Sequence, residues 1–398
     1  MTQEKMAVIH CGFHKTASSS IQHTLGHNRQ FLKEHGWLYP ELLVEGKAFF
    51  NQSIPLYGYY SKRPEYFRQY WYHNQVSHLV ANAKIKKKLE EIVWKHPRII
   101  FSDEFISTLN PDELSALKTD LHKNGYIIRV IALVREPTDL VTSDIQQLVR
   151  NGLIDTIIES ISPLRQLDKI QNLIDVFDTG VEFYNFERAC RHDAGPAGFF
   201  FELLGLNLNP GQTVRVNEGM SLQAVRLLSR INASTPLFSD KNSLHPLRTR
   251  FDIALLTQLP GEKFQLTQEQ LTKLQPTTEL ARNEVEQLLG DDFFPEKRTY
   301  TEPTFVWGPQ QFDFIEEHFE KLDLYILLRI CDFLLELEAT DSLDKNRVNA
   351  FLARVRRRID NEITINPARE KHRMHSKAIT AVETIKRILR RFGIEMHK

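Results

Sequence analysis

Three cysteines, Cys11, Cys190 and Cys331, are all that this chain of 398 residues contains. They lie far apart and are odd in number, which argues against a disulfide framework and for small buried thiols in a reducing compartment. The formal net charge is zero, so no overall field draws the protein toward nucleic acid. Long apolar runs are also missing. None is long enough to cross a bilayer, and the N-terminus leads almost directly into the first apolar segment, without the pattern of a signal peptide. Internal repeats and low-complexity linkers are absent. What remains is an ordinary globular composition, 41% hydrophobic and 26% charged, enough for one main domain with a substantial core and an appendage.

Glycine is scarce where a nucleotide loop would need it. The apolar run Met6-Ala7-Val8-Ile9 is followed by His10-Cys11-Gly12-Phe13-His14-Lys15-Thr16-Ala17-Ser18-Ser19-Ser20, and then by a helical pattern with Ile21, Leu25 and Leu32 on one face. This reads as strand, tight polar loop, helix. A helix N-terminus offers unpaired N–H groups and positive dipole charge. Lys15 adds a full charge, and Thr16, Ser18, Ser19 and Ser20 add hydroxyls, so the loop suits a phosphate or sulfate. An ATP-binding P-loop needs Gly immediately before its Lys, where this chain has His14. Gly12 is the only glycine of the loop, which excludes a dinucleotide fingerprint. His10, Cys11 and His14 have no spacing of a standard metal site.

A second motif lies downstream. Ile127 to Val134, branched and apolar except for Arg129, reads as a buried parallel strand. It leads into Arg135-Glu136-Pro137, with Pro137 suited to a first helical turn. Ser143 falls eight residues past Arg135. Arg presents a planar fork for phosphate oxygens, and a Ser two turns into the helix can face the same pocket. Taken singly, Arg135 is also explained as a surface residue near a helix start, and Ser143 as a solvated hydroxyl. Further strands are expected at 97–102 and 181–184, and helices at 84–94, 114–124, 164–177 and from Leu222. Strands alternating with helices imply a parallel sheet covered on both faces, an α/β fold.

The two motifs together resemble those of sulfotransferases that use 3′-phosphoadenosine 5′-phosphosulfate (PAPS). The Lys15 loop matches that family's 5′-phosphosulfate loop, and Arg135 with Ser143 its 3′-phosphate pair. Ile21-Gln22, Asn28-Arg29 and Gly36 to Pro40 follow the pattern of bacterial carbohydrate sulfotransferases. Val214 to Glu218 and Ala281-Arg282-Asn283 to Phe294-Pro295 are looser matches. The resemblance covers about residues 6–300. It implies a three-layer α/β/α domain over 1–300 with a central parallel sheet of the P-loop NTPase-like sulfotransferase type. Residues 301–398 are then a helical C-terminal extension. Two departures stand out: Ala17 occupies a position usually held by Gly, and the Arg-Lys-Gly triplet used by cytosolic animal members is absent.

What the resemblance implies for chemistry is transfer of a sulfuryl group from PAPS to a hydroxyl or amine, leaving adenosine 3′,5′-bisphosphate, with no metal required. Lys15 would neutralise the leaving oxygen. Gly12, Thr16, Ala17, Ser18, Ser19 and Ser20 would cradle the 5′-phosphate, and Tyr184 would lie near the adenine. The base is expected just after a central strand, at Ser102-Asp103-Glu104, with Glu104 first and Asp103 second; His14 is a third candidate. The same residues also fit helix capping, Ser102 or Asp103 as the cap and Glu104 against the dipole. Aromatic residues between 49 and 72 suit a sugar acceptor, or core packing. The lack of a membrane anchor, found in animal Golgi members, implies a cytoplasmic bacterial enzyme.

Two other readings compete: a nucleotide kinase or NTPase on the same strand–loop–helix, and a non-catalytic nucleotide-binding protein of the same fold. The tail adds one more expectation. Residues 370–398 hold eight Lys and Arg against three Glu, and Ala378, Val382, Ile385, Leu389 and Phe392 share one helical face. Such a helix either packs on its own domain or contacts a membrane surface through residues 376–392. The second option suits a carbohydrate or glycolipid acceptor presented at the inner face of the membrane.

Overall fold

The structure, a computed structural model, describes residues 4–44, 47–48, 52–62, 78–155, 161–216, 219–238, 244–245, 247–294, 300–338 and 343–365. The chain forms two compact units that interleave along the sequence. The first comprises 1–140, 162–218 and 274–298; the second comprises 141–161, 219–273 and 299–398. Residue 300 therefore lies just past the last segment of the first unit, and 219–273 belong with the C-terminal residues.

The first unit holds the parallel sheet expected from the alternating pattern. Its strands are β1 (Lys5–Cys11), β4 (Arg98–Asp103), β5 (Tyr126–Val134) and β6 (Val181–Asn185), in the order β4-β1-β5-β6 and all parallel; β2 (Leu43–Val44) and β3 (Lys47–Ala48) form a separate antiparallel pair. Near-continuous apolar runs suit strands covered on both faces. Ala7, Ile9 and Cys11 of β1, with Ile99, Phe101, Val130 and Ala132, face one core, which is closed by helices Pro111–Lys123 and Leu167–Phe177. Val8, Ile100, Ile131 and Leu133 face the other core, closed by α1 (Ser18–His27) and by Gly195–Leu203 with Phe199, Phe200 and Phe201. This is a three-layer α/β/α arrangement. The helix Pro111–Lys123 starts on a capping box, Asn110 with Glu113, and Pro111 at its first position.

Strands β4 and β5 flank β1 on opposite sides, so the connection between them crosses the sheet. In open α/β sheets, ligands bind beyond the carboxyl ends of the strands at such a reversal. The ends of β1, β4 and β5 deliver Gly12, Glu104 and Arg135 to this edge. One element differs from the sequence pattern. The run through Leu32 is two helices, α1 and α2 (Arg29–Glu34), separated at Asn28. Asn28 turns its side-chain amide onto the carbonyls of Thr24 and Gln212.

The named elements of the second unit are helices, among them Leu222–Ser234, Leu324–Glu338 and Lys345–Ile365. Within it, Arg226 and Ser229 bind the buried Asp155, at 2.5 and 2.8 Å. Among the described residues no helix is long and apolar enough to cross a membrane. The basic tail, 376–392, lies outside the described residues.

Candidate active site

The loop between β1 and α1 is closed from within. Gly12 N–H donates to the Asp103 carbonyl at 3.1 Å, extending the β1–β4 pairing. A Cβ at Gly12 would lie 2.4 Å from Ser18 Oγ and 2.9 Å from Ser18 Cβ, so this close approach is what requires glycine. Thr16 Oγ1 and Ser18 Oγ both donate to the Phe13 carbonyl, at 2.6 and 3.3 Å. Lys15 and Ala17 adopt left-handed backbone angles, φ 68° and 58°. That conformation is costly for residues with a Cβ. Left-handed residues in such a turn direct successive N–H groups into a concave nest for an anion. Ala17 is also the N-cap of α1, without a side-chain cap bond, which keeps the helix N-terminus clear for an external acceptor.

Arg135 follows β5 directly. Its Nη1 donates to the Lys15 carbonyl at 2.8 Å, and its guanidinium lies 5.1 Å from the centre of the Phe186 ring. Gln166 holds its backbone, accepting from Arg135 N–H at 3.4 Å and donating to Arg135 O at 3.1 Å. Arg135 Nε is buried without a partner among the described residues. Beside it, burial pushes the carboxyls of Glu136 and Glu187 above the usual range. Glu136 caps the following helix, Pro137–Arg150, by accepting from Thr138 and Asp139 N–H. Ser143 is half-buried on that same helix, in the stretch assigned to the second unit.

The end of β4 separates the two carboxylates. Asp103 is fully buried, and its Oδ1 accepts from Phe105 N–H at 2.6 Å, the turn-capping role. Glu104 is partly exposed, and its Oε1 lies 2.5 Å from His14 Nδ1. His10, one strand position below the loop, is buried, with Nδ1 2.7 Å from Ser102 Oγ. Burial lowers its pKa to about 4 against an opposing pull from Glu104. His10 lies against Phe200 while Cys11 faces the opposite core, so His10, Cys11 and His14 do not converge. Burial, then Asp103, pushes the Cys11 thiol well above its ordinary range.

Tyr184 commits its hydroxyl elsewhere. It donates to Glu182 Oε2 at 2.5 Å, and Arg129 Nη2 donates to the same carboxylate oxygen at 2.9 Å. The ring lines an open recess of about 340 Å³ with Arg188, Arg191, Asp292 and Phe293. Tyr57 and Tyr60, from the aromatic stretch, are core residues. Phe49, Phe50, Tyr66, Phe67, Tyr70, Trp71 and Tyr72 lie outside the described residues.

A strap across α1 was not visible in the motifs. Asn28 Nδ2 donates to Gln212 O at 3.0 Å, Val214 N–H to Thr24 Oγ1 at 2.9 Å, and Val216 N–H to Ser20 Oγ at 3.2 Å. Ser20, Thr24 and Asn28 are spaced by four residues, a polar row along one helix face. That row signals a polar partner on this helix face, though not which segment supplies it. Ser20 is thus bonded to the strap, whereas Thr16 and Ser18 close the loop. Ser19 is half-buried.

No protein-family model matches the chain, and no curated protein matches it. Similar solved structures include a sulfotransferase from Alicyclobacillus acidocaldarius, 11% identical, covering 72% of this chain and 96% of that one at a TM-score of 0.38. Mouse sulfotransferase SULT7A1, complexed with PAP, is 11% identical and covers 72% of this chain and 89% of that one at a TM-score of 0.34.

Proposed function

We propose that the chain is a sulfotransferase that moves the sulfuryl group of PAPS to a hydroxyl or amine of a carbohydrate or glycolipid. The observation that carries this reading is the 2.8 Å bond from Arg135 Nη1 to the Lys15 carbonyl. It joins the loop after β1 to the residue that ends β5, 120 residues apart in sequence, at one edge of the sheet. The site's chemistry fits the donor. The turn through Lys15 and Ala17 offers N–H groups at a helix N-terminus. Gly12 keeps the loop tight, and the buried Arg135 Nε has a hydrogen still to place.

Each residue then has a task. The loop N–H groups and Ser19 hold the 5′-phosphate, and Arg135 holds the 3′-phosphate. Lys15 neutralises charge that builds on the leaving phosphate oxygen as the S–O bond breaks, by analogy with loose in-line phosphoryl transfer. The His14–Glu104 pair takes the acceptor's proton as the new O–S bond forms. Tyr184 contributes its ring, not its hydroxyl, to any adenine contact. The acceptor class is suggested by the resemblance of Ile21-Gln22, Asn28-Arg29 and Gly36 to Pro40 to bacterial carbohydrate sulfotransferases, and by the basic tail, which would bring a cytoplasmic enzyme to a glycolipid at the inner membrane face.

Calorimetry on the full-length protein tests the reading. Adenosine 3′,5′-bisphosphate is expected to bind, and ATP with magnesium to bind far more weakly. In a PAPS transfer assay, Lys15→Ala is expected to lower turnover by orders of magnitude while the protein stays folded. Binding of magnesium-ATP with no response to the bisphosphate would overturn the assignment in favour of an NTPase.

A further inference from the structure

We infer that His14 and Glu104 form a carboxylate–imidazole dyad in which His14 Nε2 is the proton acceptor and Glu104 the group that orients it. The inference rests on the sulfotransferase reading and deepens it. The two residues come from different elements, His14 from the loop after β1 and Glu104 from the end of β4. The parallel pairing of Cys11 with Asp103 places those ends side by side. The contact is 2.5 Å, and it involves one specific ring nitrogen, Nδ1.

A carboxylate on Nδ1 selects a tautomer. An ionised Glu104 accepts hydrogen bonds and donates none, so Nδ1 must carry the hydrogen, and in the neutral ring Nε2 is then left with its lone pair. His14 becomes a base with its basic atom directed away from Glu104. The ring is further oriented by an edge-on contact with Phe105, centroids 5.7 Å apart. Both side chains keep about a third of their surface, 31% for His14 and 27% for Glu104, so the pair is open to an acceptor. Asp103 is closed off and already bound to Phe105 N–H. His14 also directly precedes Lys15, which ties the base to the residue beside the leaving oxygen.

In the step this assigns, the acceptor oxygen forms a bond to sulfur while the bond from sulfur to the bridging phosphate oxygen breaks. That bond's electron pair stays on the leaving phosphate, next to Lys15. The acceptor's proton passes to His14 Nε2. Glu104 remains ionised and stabilises the imidazolium, as the carboxylate of a catalytic triad does. Glu104 is a positioning residue in this scheme, since it acts through His14.

Two measurements on the full-length protein test it, one independent of turnover. Nitrogen-15 spectra of histidine-labelled protein at neutral pH should show His14 with its hydrogen on Nδ1, and Glu104→Gln should abolish that preference. Finding the hydrogen on Nε2 of wild-type His14 overturns the dyad whatever the enzyme's substrate. In PAPS transfer, His14→Gln should lower turnover about 100-fold or more, and Glu104→Gln should lower it through the same step. The double variant should then be no slower than His14→Gln alone. Affinity for adenosine 3′,5′-bisphosphate should stay within a few-fold in all three. Independent, multiplying losses would overturn the shared role. If wild-type protein fails to bind the bisphosphate, the sulfotransferase reading falls, and the tautomer measurement still decides the geometry.

Discussion

Ser20 Oγ both accepts from Val216 N–H, at 3.2 Å, and donates to Val216 O, at 3.3 Å. A hydroxyl in the first turn of α1 is therefore used up on a chain segment almost 200 residues downstream. This separates the serines of the loop by role. Ser18 closes the loop onto Phe13 O, Ser20 holds the strap, and Ser19, half-buried, is left to face a ligand.

A pair of single substitutions reads this division. Ser20→Ala removes both strap bonds and is expected to lower unfolding stability by about 1–2 kcal/mol, with affinity for adenosine 3′,5′-bisphosphate changed only a few-fold. Ser19→Ala is expected to do the reverse, leaving stability near wild type and weakening the bisphosphate by about 10-fold, the loss of one hydrogen bond to a charged group. Urea unfolding and calorimetry on the same two proteins give the comparison. The opposite pattern would return Ser20 to the anion site.

Ala17 gives a prediction of the opposite sign. Its φ of 58° is a conformation that glycine adopts freely and alanine resists. Ala17→Gly is expected to stabilise the protein by up to about 1 kcal/mol, because relief of the left-handed strain outweighs the added freedom of the unfolded chain. Donor affinity should hold or rise, since the nest is retained. A fall in both melting temperature and affinity would mean that the alanine methyl makes contacts worth more than the strain.

The arrangement was legible from the sequence wherever one local segment carries its own signal. The run from Ile127 to Val134 specifies a parallel strand, buried from Val130 onward while Ile127 is exposed, and the polar residues between Ile9 and Ile21 specify a loop that opens a helix. The left-handed angle at Ala17 was foreshadowed by the glycine expected there. What the sequence did not show depends on pairings between distant segments. Nothing near His14 indicates that Glu104 will meet its Nδ1, because that contact follows from the order of the strands. The strap on Ser20, Thr24 and Asn28 is of the same kind. So is the division of the chain, where 219–273 join the C-terminal residues in one unit instead of following the sheet domain to residue 300.

Arg135 is expected to act twice, on the 3′-phosphate and on the Lys15 carbonyl. Arg135→Ala should weaken adenosine 3′,5′-bisphosphate by about 10- to 100-fold, as for loss of charge-assisted hydrogen bonds. Adenosine 5′-phosphate should weaken less, because only the loosened loop affects it. Calorimetry with both ligands measures the ratio. Equal losses would mean that Arg135 works only by bracing the loop.

The last prediction concerns acid. His10 is buried, its Nε2 has no partner among the described residues, and burial holds its pKa at about 4. The unfolded chain has an ordinary histidine near 6.5. Between those values the unfolded state binds a proton that the folded state refuses, so stability rises with pH across the window and is lost as pH falls from about 6.5 toward 4. A difference of this size corresponds to about 3 kcal/mol over the whole window. His10→Asn removes the titrating group and retains a polar side chain that can reach Ser102. The variant is expected to be less stable than wild type at pH 7, through lost packing against Phe200, but to lose less on acidification. Urea unfolding at pH 7, 6 and 5 gives the test as a difference of slopes, from which carboxylates common to both proteins cancel. Parallel pH dependences would show that His10 protonates in place, and that the base of the loop tolerates a charge.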